Sequence, residues 1–334
     1  MVELSVVVPT YRCEDCLRAL HRRLTASVAP LVASYELVFV DDRSPDDSWG
    51  LLRELASSDP HVRLLRLSRN FGQHAAITAG LAHSTGRWIV VTDCDLEDPP
   101  EEIPRLYAKA QEGYDIVFAR RRLRRQSLFR RVAARTYRRL ANFLARTDID
   151  PDYTNLSIAS RKVIDAFLGL RDVDRHYLLI LLWLGFEHTT IDVDQDERYA
   201  GQSSYTFGEL IRVAADGMFF QTTNLLRWII YGGFVIAVLG SLALGGLVAY
   251  GWFLRDPPPG WASLATLVML LSGVIVISTG VTGLYVGKVF SQVKGRPLYV
   301  VDSELSGGAE QLPDATATGA ESVDPVGAPA EGER

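Results

Sequence analysis

Cysteine is scarce: three residues in a chain of 334. A framework of several disulfides is therefore excluded as the source of stability. Cys13 and Cys16 form one C-x-x-C and Cys94 stands apart, so the second ligand pair that a structural zinc site needs is missing. Reduced, structural cysteines are the expectation. Two glycine motifs are missing as well. The first apolar run leads into Pro9-Thr10-Tyr11 rather than G-x-G-x-x-G, and no G-x-x-x-x-G-K-[ST] occurs. A dinucleotide-binding Rossmann turn and a P-loop are thereby excluded. Any nucleotide bound here needs another device for its phosphates.

Charge is absent from two long stretches. From Trp228 to Leu254 there are 27 residues without a charge, and from Gly260 to Gly287 another 28. Each exceeds the roughly 20 residues with which a helix crosses the hydrocarbon core. Their glycines suit close packing of membrane helices. The link between them, Arg255-Asp256-Pro257-Pro258-Pro259, is nearly neutral, whereas Arg227, Lys288, Lys294 and Arg296 lie outside. Cytoplasmic flanks carry the Lys and Arg excess, so the expected anchor is a hairpin in the inner or plasma membrane with both chain ends inside. No signal peptide is expected, because Val2 to Val8 reads as a strand from the start. The resulting plan is a cytoplasmic domain over 1–205 and an interfacial amphipathic helix over 206–226. Two membrane helices follow within 227–288 (about 228–254 and 260–287), then a mostly disordered cytoplasmic tail over 289–334. After Val301 that tail has eight acids and one base.

What is abundant is strand-like sequence followed by polar residues. Leu4 to Val8, Glu36 to Val40, Val62 to Leu67, Arg87 to Val91 and Asp115 to Phe118 read as strands separated by helical segments. Ser44-Pro45-Asp46-Asp47 has the make-up of a helix start. Such alternation predicts an α/β fold with a mostly parallel sheet covered on both faces. The strands end in Thr10-Tyr11, Asp41-Asp42, Asp93 to Asp98, and Arg120, converging on the edge where open α/β sheets bind ligands. Four carboxylates crowd into Asp93-Cys94-Asp95-Leu96-Glu97-Asp98. A divalent cation relieves that repulsion, and Asp and Glu oxygens suit Mg²⁺ or Mn²⁺ with ligand phosphates completing the shell. Asp98-Pro99-Pro100-Glu101 is also a good helix start, with Asp98 as its cap.

The motifs Val6-Val7-Val8-Pro9-Thr10-Tyr11, Val40-Asp41-Asp42-Arg43-Ser44-Pro45-Asp46, Asn70-Phe71-Gly72-Gln73 and Asp93-Cys94-Asp95-Leu96-Glu97-Asp98-Pro99-Pro100-Glu101, in that order, resemble family 2 glycosyltransferases. The subgroup most similar is the polyprenyl-phosphate glycosyltransferases, and the likeness covers residues 2 to about 300. It implies a GT-A-like nucleotide-sugar-binding domain, an NDP-sugar donor, a polyprenyl phosphate acceptor and Mg²⁺ or Mn²⁺. By the same resemblance Pro9, Thr10, Tyr11, Asp41 and Asp42 contact the nucleotide, Asp42 near the base or ribose. Asp93 and Asp95 match the metal-binding D-x-D. Glu97 stands where relatives carry Gln and, as a carboxylate, is a third candidate ligand. Arg120 matches a family arginine. Arg198, Gly201, Ser203 and Tyr205 resemble a phosphate-contacting loop whose lysine is Ser204 here.

The departure falls at Asn155, which stands where relatives carry the Asp proposed as catalytic base. Asn accepts no proton at neutral pH, and a polyprenyl phosphate is already largely a dianion because its second pKa is near 6. Asn155 is then a group that orients the acceptor or a sugar hydroxyl. Eleven arginines lie between Arg120 and Arg146, interleaved with apolar residues at helical spacing. That pattern predicts a surface for anionic headgroups rather than nucleic acid, with Arg130, Arg131, Arg135 and Arg138 as candidates for the lipid phosphate. The expected activity is inverting sugar transfer to a lipid phosphate at the cytoplasmic membrane face, for cell-envelope glycan or glycoprotein assembly. Asp95, Asn155 and Arg120 sit at the chemistry. A processive polysaccharide synthase, a weakened nucleotide-sugar-binding relative, a different lipid acceptor and homo-oligomers are the alternatives that the sequence leaves open.

Overall fold

The computed structural model describes residues 2–121, 152–170, 172, 175–194, 260–306 and 309–311, with 235 and 242 as isolated positions. The chain divides into two compact units. The first comprises Met1–Ser127, Ile149–Ser203 and Gly295–Arg334, and the second Leu128–Asp148 and Ser204–Lys294.

The first unit alternates as its sequence predicts. Strand β1 (Leu4–Thr10) leads to helix α1 (Glu14–Val28), β2 (Tyr35–Asp41) to α2 (Ser48–Ser58), and β3 (Val62–Leu67) to α3 (Gln73–His83). Strand β4 (Trp88–Val91) is followed by a 3-10 turn (Pro100–Glu102) and α4 (Ile103–Ala110), then β5 (Ile116–Arg121). Beyond come β6 (Tyr153–Ser160), α5 (Arg161–Gly169), α6 (Tyr177–Trp183) and β7 (His188–Val193). The nine-stranded sheet has the order β7-β5-β6-β4-β1-β2-β3-β8-β9, the last two being Val301–Ser306 and Ala309–Gln311. Parallel pairings join β1 to β2 and β4, β2 to β3, and β5 to β7. β6 and β8 run opposite to the rest.

Burial on both faces explains the apolar runs. Val6 and Val8 point into a core shared with Leu17, Leu20, Leu52 and Leu106, whereas Val7 joins Ile77, Val163 and Phe167 on the other side. Helices thus cover both faces, which parallel strands require. Gly80 in α3 permits the closest approach, since a Cβ there would lie 2.3 Å from Cγ1 of Val7.

Several details differ from expectation. β1 continues through Pro9 to Thr10, paired with β2 all along. Helix α2 starts at Ser48, not Ser44, because Ser44 is spent elsewhere: its hydroxyl accepts the Arg12 N–H at 3.2 Å. Asp98 is buried and the turn after it is headed by Pro99 with no side-chain cap, so Asp98 is not the cap that its sequence suggested. The cysteines are not all reduced. Cys13 and Cys94 form a disulfide across 81 residues, while Cys16 stays free and buried. Neighbouring strands β1 and β4 bring those two loops together, which spacing in sequence does not reveal. The expected tail begins instead with β8, which pairs antiparallel with β3 and buries Val301 and Leu305.

In the second unit, helix α7 runs over Trp261–Val293, 33 residues. At 1.5 Å per residue that is about 50 Å. Leu264, Val268, Ile275, Leu284, Val289 and Phe290 are all exposed on it. Counting only described side chains, no helix is long and apolar enough to cross a membrane. Part of α7's side chains, and the other predicted helices over 206–226 and 228–254 apart from two positions, lie outside that set.

Candidate functional site

The sheet's carboxyl edge gathers the candidates because strand order reverses between β1 and β4. Such a reversal leaves a crevice outside the strand ends. Thr10 and Tyr11 close β1 on one side of it, and Thr92-Asp93 closes β4 on the other, with Thr92 N–H donating to Val7 O at 3.1 Å. β6 runs the other way, so its first residues arrive where β4 and β5 end. Asn155 reaches the edge by that route.

Left-handed backbone marks the same loops. Arg12 (φ 56°), Arg43 (φ 58°) and Leu96 (φ 62°) follow β1, β2 and β4 respectively. L-residues pay for this conformation, and such strain concentrates at functional sites.

At the ends of β1 and β2, Pro9 and Thr10 are buried while Tyr11 is 41% exposed, with the Arg12 guanidinium 5.4 Å from its ring centre. Asp41 is wholly buried; one oxygen accepts Ser44 N–H at 3.1 Å and the other lies 3.3 Å from Arg66 Nε. Asp42 is buried too and accepts the N–H groups of Phe71 (2.7 Å) and Gly72 (2.8 Å). Burial raises its carboxyl above the usual range and those two donors pull against it. Gly72, with φ 95°, turns the chain into α3 at this point.

At the acidic loop, Asp93 receives three contacts from amides. Gln73 Nε2 donates to its Oδ1 at 2.8 Å, and Asn155 Nδ2 lies 3.2 Å from Oδ1 and 3.0 Å from Oδ2. Burial pushes the Asp93 carboxyl up to about 6, aided by the charges of Asp95 and Asp98 and opposed by the two amides. Asp95 accepts the Glu97 N–H at 3.1 Å. The Glu97 carboxylate lies 3.5 Å from Arg121 Nη2. Among the described residues no three His, Cys, Asp or Glu side chains converge as a metal cage. The donor chemistry nonetheless fits Mg²⁺ or Mn²⁺, which takes one or two carboxylates and completes its shell with phosphate and water.

Arg120 donates to Asp192 at 2.7 Å on neighbouring β7. Behind Asn155, the Ser157 hydroxyl bonds Asn155 O (3.0 Å) and meets Tyr177 Oη (3.1 Å). Arg198, Ser203 and the basic stretch beyond Arg121 lie outside the described residues. The fold thus brings together Thr10, Tyr11, Asp41, Asp42, Asp93, Asp95 and Asn155 at one edge. Sequence reasoning passed over Gln73 and Arg121 as site residues. Gln73 lies in the Asn70-Phe71-Gly72-Gln73 motif, yet its link to Asp93 joins residues 20 positions apart and leaves no periodic signal.

Residues 5–170 match the family described as "Glycosyl transferase family 2". An uncharacterized glycosyltransferase of Bacillus subtilis is 34% identical over 90% of this chain and 93% of its own length. The undecaprenyl-phosphate 4-deoxy-4-formamido-L-arabinose transferase of Klebsiella pneumoniae is 36% identical over 90% of this chain and 92% of its own length. Among solved structures, glucosyl-3-phosphoglycerate synthase from Mycobacterium tuberculosis is 21% identical, covering 66% of this chain and 80% of that one, with a TM-score of 0.48.

Proposed function

Because this chain belongs to glycosyl transferase family 2, we propose that it moves a sugar from an NDP-sugar to a polyprenyl phosphate at a membrane face, with inversion at the anomeric carbon. The observation that carries the reading is the convergence of Thr10, Asp42, Asp93, Asp95 and Asn155 at the strand-order reversal. The acceptor class is supported by relatives named for transfer to undecaprenyl phosphate, which align with nine-tenths of the chain.

In this reading Pro9, Thr10, Tyr11, Asp41 and Asp42 border the nucleoside, and Asp93 and Asp95 border the diphosphate. A divalent cation held there would supply positive charge for the departing diphosphate. The acceptor phosphate oxygen attacks the anomeric carbon as the carbon–oxygen bond to the diphosphate breaks. A phosphate dianion needs no base to do this, so Asn155 serves as a donor to Asp93 rather than as a proton acceptor. Arg120 and Arg121, at the end of β5, supply positive charge on the acceptor side, with Arg198, Ser203 and the basic stretch as further candidates.

The membrane reading draws on three observations. Helix α7 exposes a long apolar surface of the kind water does not favour, and the sequence is free of charge from Gly260 to Gly287. Moreover β8, after α7, completes the same sheet as β1 to β7. That pairing supports a topology with both ends of the apolar region on one side of the bilayer, as in the two-helix hairpin.

The test is purified full-length protein with labelled NDP-sugars, Mg²⁺ or Mn²⁺, and undecaprenyl phosphate in detergent. A solvent-extractable lipid-linked sugar of inverted configuration is expected. Absence of such product with every donor overturns the reading.

A further inference from the structure

We propose that Gln73 is the positioning residue for the D-x-D motif: it orients Asp93 and ties it to the loop held by Asp42. The inference deepens the metal-dependent reading above and rests on it.

An ionised carboxylate only accepts hydrogen bonds, so Gln73 and Asn155 must both turn their NH₂ groups toward Asp93. Asn155 spans the two carboxylate oxygens, at 3.2 and 3.0 Å. That contact alone leaves the carboxylate able to swing about Cα–Cβ with its partner. Gln73, at 2.8 Å from Oδ1, approaches from a different element, helix α3 rather than strand β6. Two donors from two directions fix the carboxylate plane, and with it the direction of the remaining lone pairs.

Gln73 is itself held. It is the first residue of α3, and the turn before it is pinned by Asp42, which takes the N–H groups of Phe71 and Gly72. The Gly72 carbonyl in turn accepts from Ala75 and Ala76, at 3.0 and 3.1 Å. A path of short bonds therefore runs from the end of β2, through the start of α3, to the end of β4. Strands β2 and β4 do not pair directly but only through β1, so α3 supplies a second link between their ends. Through it, the nucleoside end and the diphosphate end of the site are set by one rigid element.

Replacement of groups that orient metal ligands typically costs 10–100-fold in metal affinity or activity. Gln73→Met keeps the side-chain length and removes the donor. With full-length protein it is expected to raise the Mn²⁺ concentration for half-maximal turnover about 10-fold or more. At saturating Mn²⁺, the KM for the polyprenyl phosphate should stay at the wild-type value, and the cation-free melting temperature should be unchanged. Gln73→Glu, which sets a second carboxylate against Asp93, is expected to be worse than Gln73→Met. Wild-type Mn²⁺ dependence in Gln73→Met overturns the proposal alone. So does an activity loss that follows a fall in melting temperature with half-saturating Mn²⁺ unmoved. Wild-type turnover that ignores cations overturns the metal reading and this proposal with it.

Discussion

Asp42, Asp93 and Asp95 share one sheet edge yet meet different donors, and the differences sort their roles. Asp42 is taken up by two backbone N–H groups, Asp93 by two amide side chains, and Asp95 by the N–H two residues on. Asp95→Ala is expected to lower sugar transfer at least about 100-fold, as loss of charge stabilisation in a transition state does, with the unfolding midpoint unmoved; initial rates and thermal melts on one preparation check both. His74 gives a second prediction at this scale. Its ring lies 4.3 Å from that of His176, and burial, then the charge of His176, lowers its pKa to about 4. The fold therefore holds His74 neutral while the unfolded chain protonates near 6.5. Stability is whole above pH 6.5 and falls as pH drops toward 4, by an amount on the order of 3 kcal/mol. Urea midpoints from pH 7 to 4.5 should fall less steeply in His74→Gln than in the wild type.

At the scale of elements, close approach and edge coverage decide what each helix and strand tolerates. Gly80→Ala would drive a methyl into Val7 in the centre of the sheet. Overpacking of this kind costs about 1–3 kcal/mol, to be read from chemical denaturation. Strand β8 covers the edge of β3, and its Glu304, largely buried, takes two bonds from Arg63 at 2.9 and 2.6 Å. Glu304→Ala leaves that guanidinium short of its partner and is expected to cost about 2 kcal/mol. A double-mutant cycle with Arg63→Ala should return a coupling energy above about 0.5 kcal/mol.

For the whole molecule, the return of β8 to the sheet is the feature with the widest consequence. Chain before the apolar region and chain after it fold into one unit. Tags at the two termini should therefore be cleaved by protease from the same face of sealed vesicles, and cleavage from opposite faces would refute the even-crossing topology. The disulfide between Cys13 and Cys94 adds a covalent tie between the loops after β1 and β4. It places one half-cystine between Asp93 and Asp95.

The sequence by itself determined the strand–helix alternation, the acidic loop at a strand end and the two charge-free runs. Each is written in neighbouring residues: apolar runs such as Leu4 to Val8, carboxylates from Asp93 to Asp98, and the lack of charge from Gly260 to Gly287. The family motifs were legible for the same reason. Only the tertiary structure decided which donors each carboxylate meets, that Cys13 faces Cys94, that Asn155 enters the site on an antiparallel strand, and that β8 returns to the edge of β3. Those pairings join residues from 20 to more than 200 positions apart. No local period records such distances, because contact between strands is set by sheet order and direction rather than by spacing along the chain.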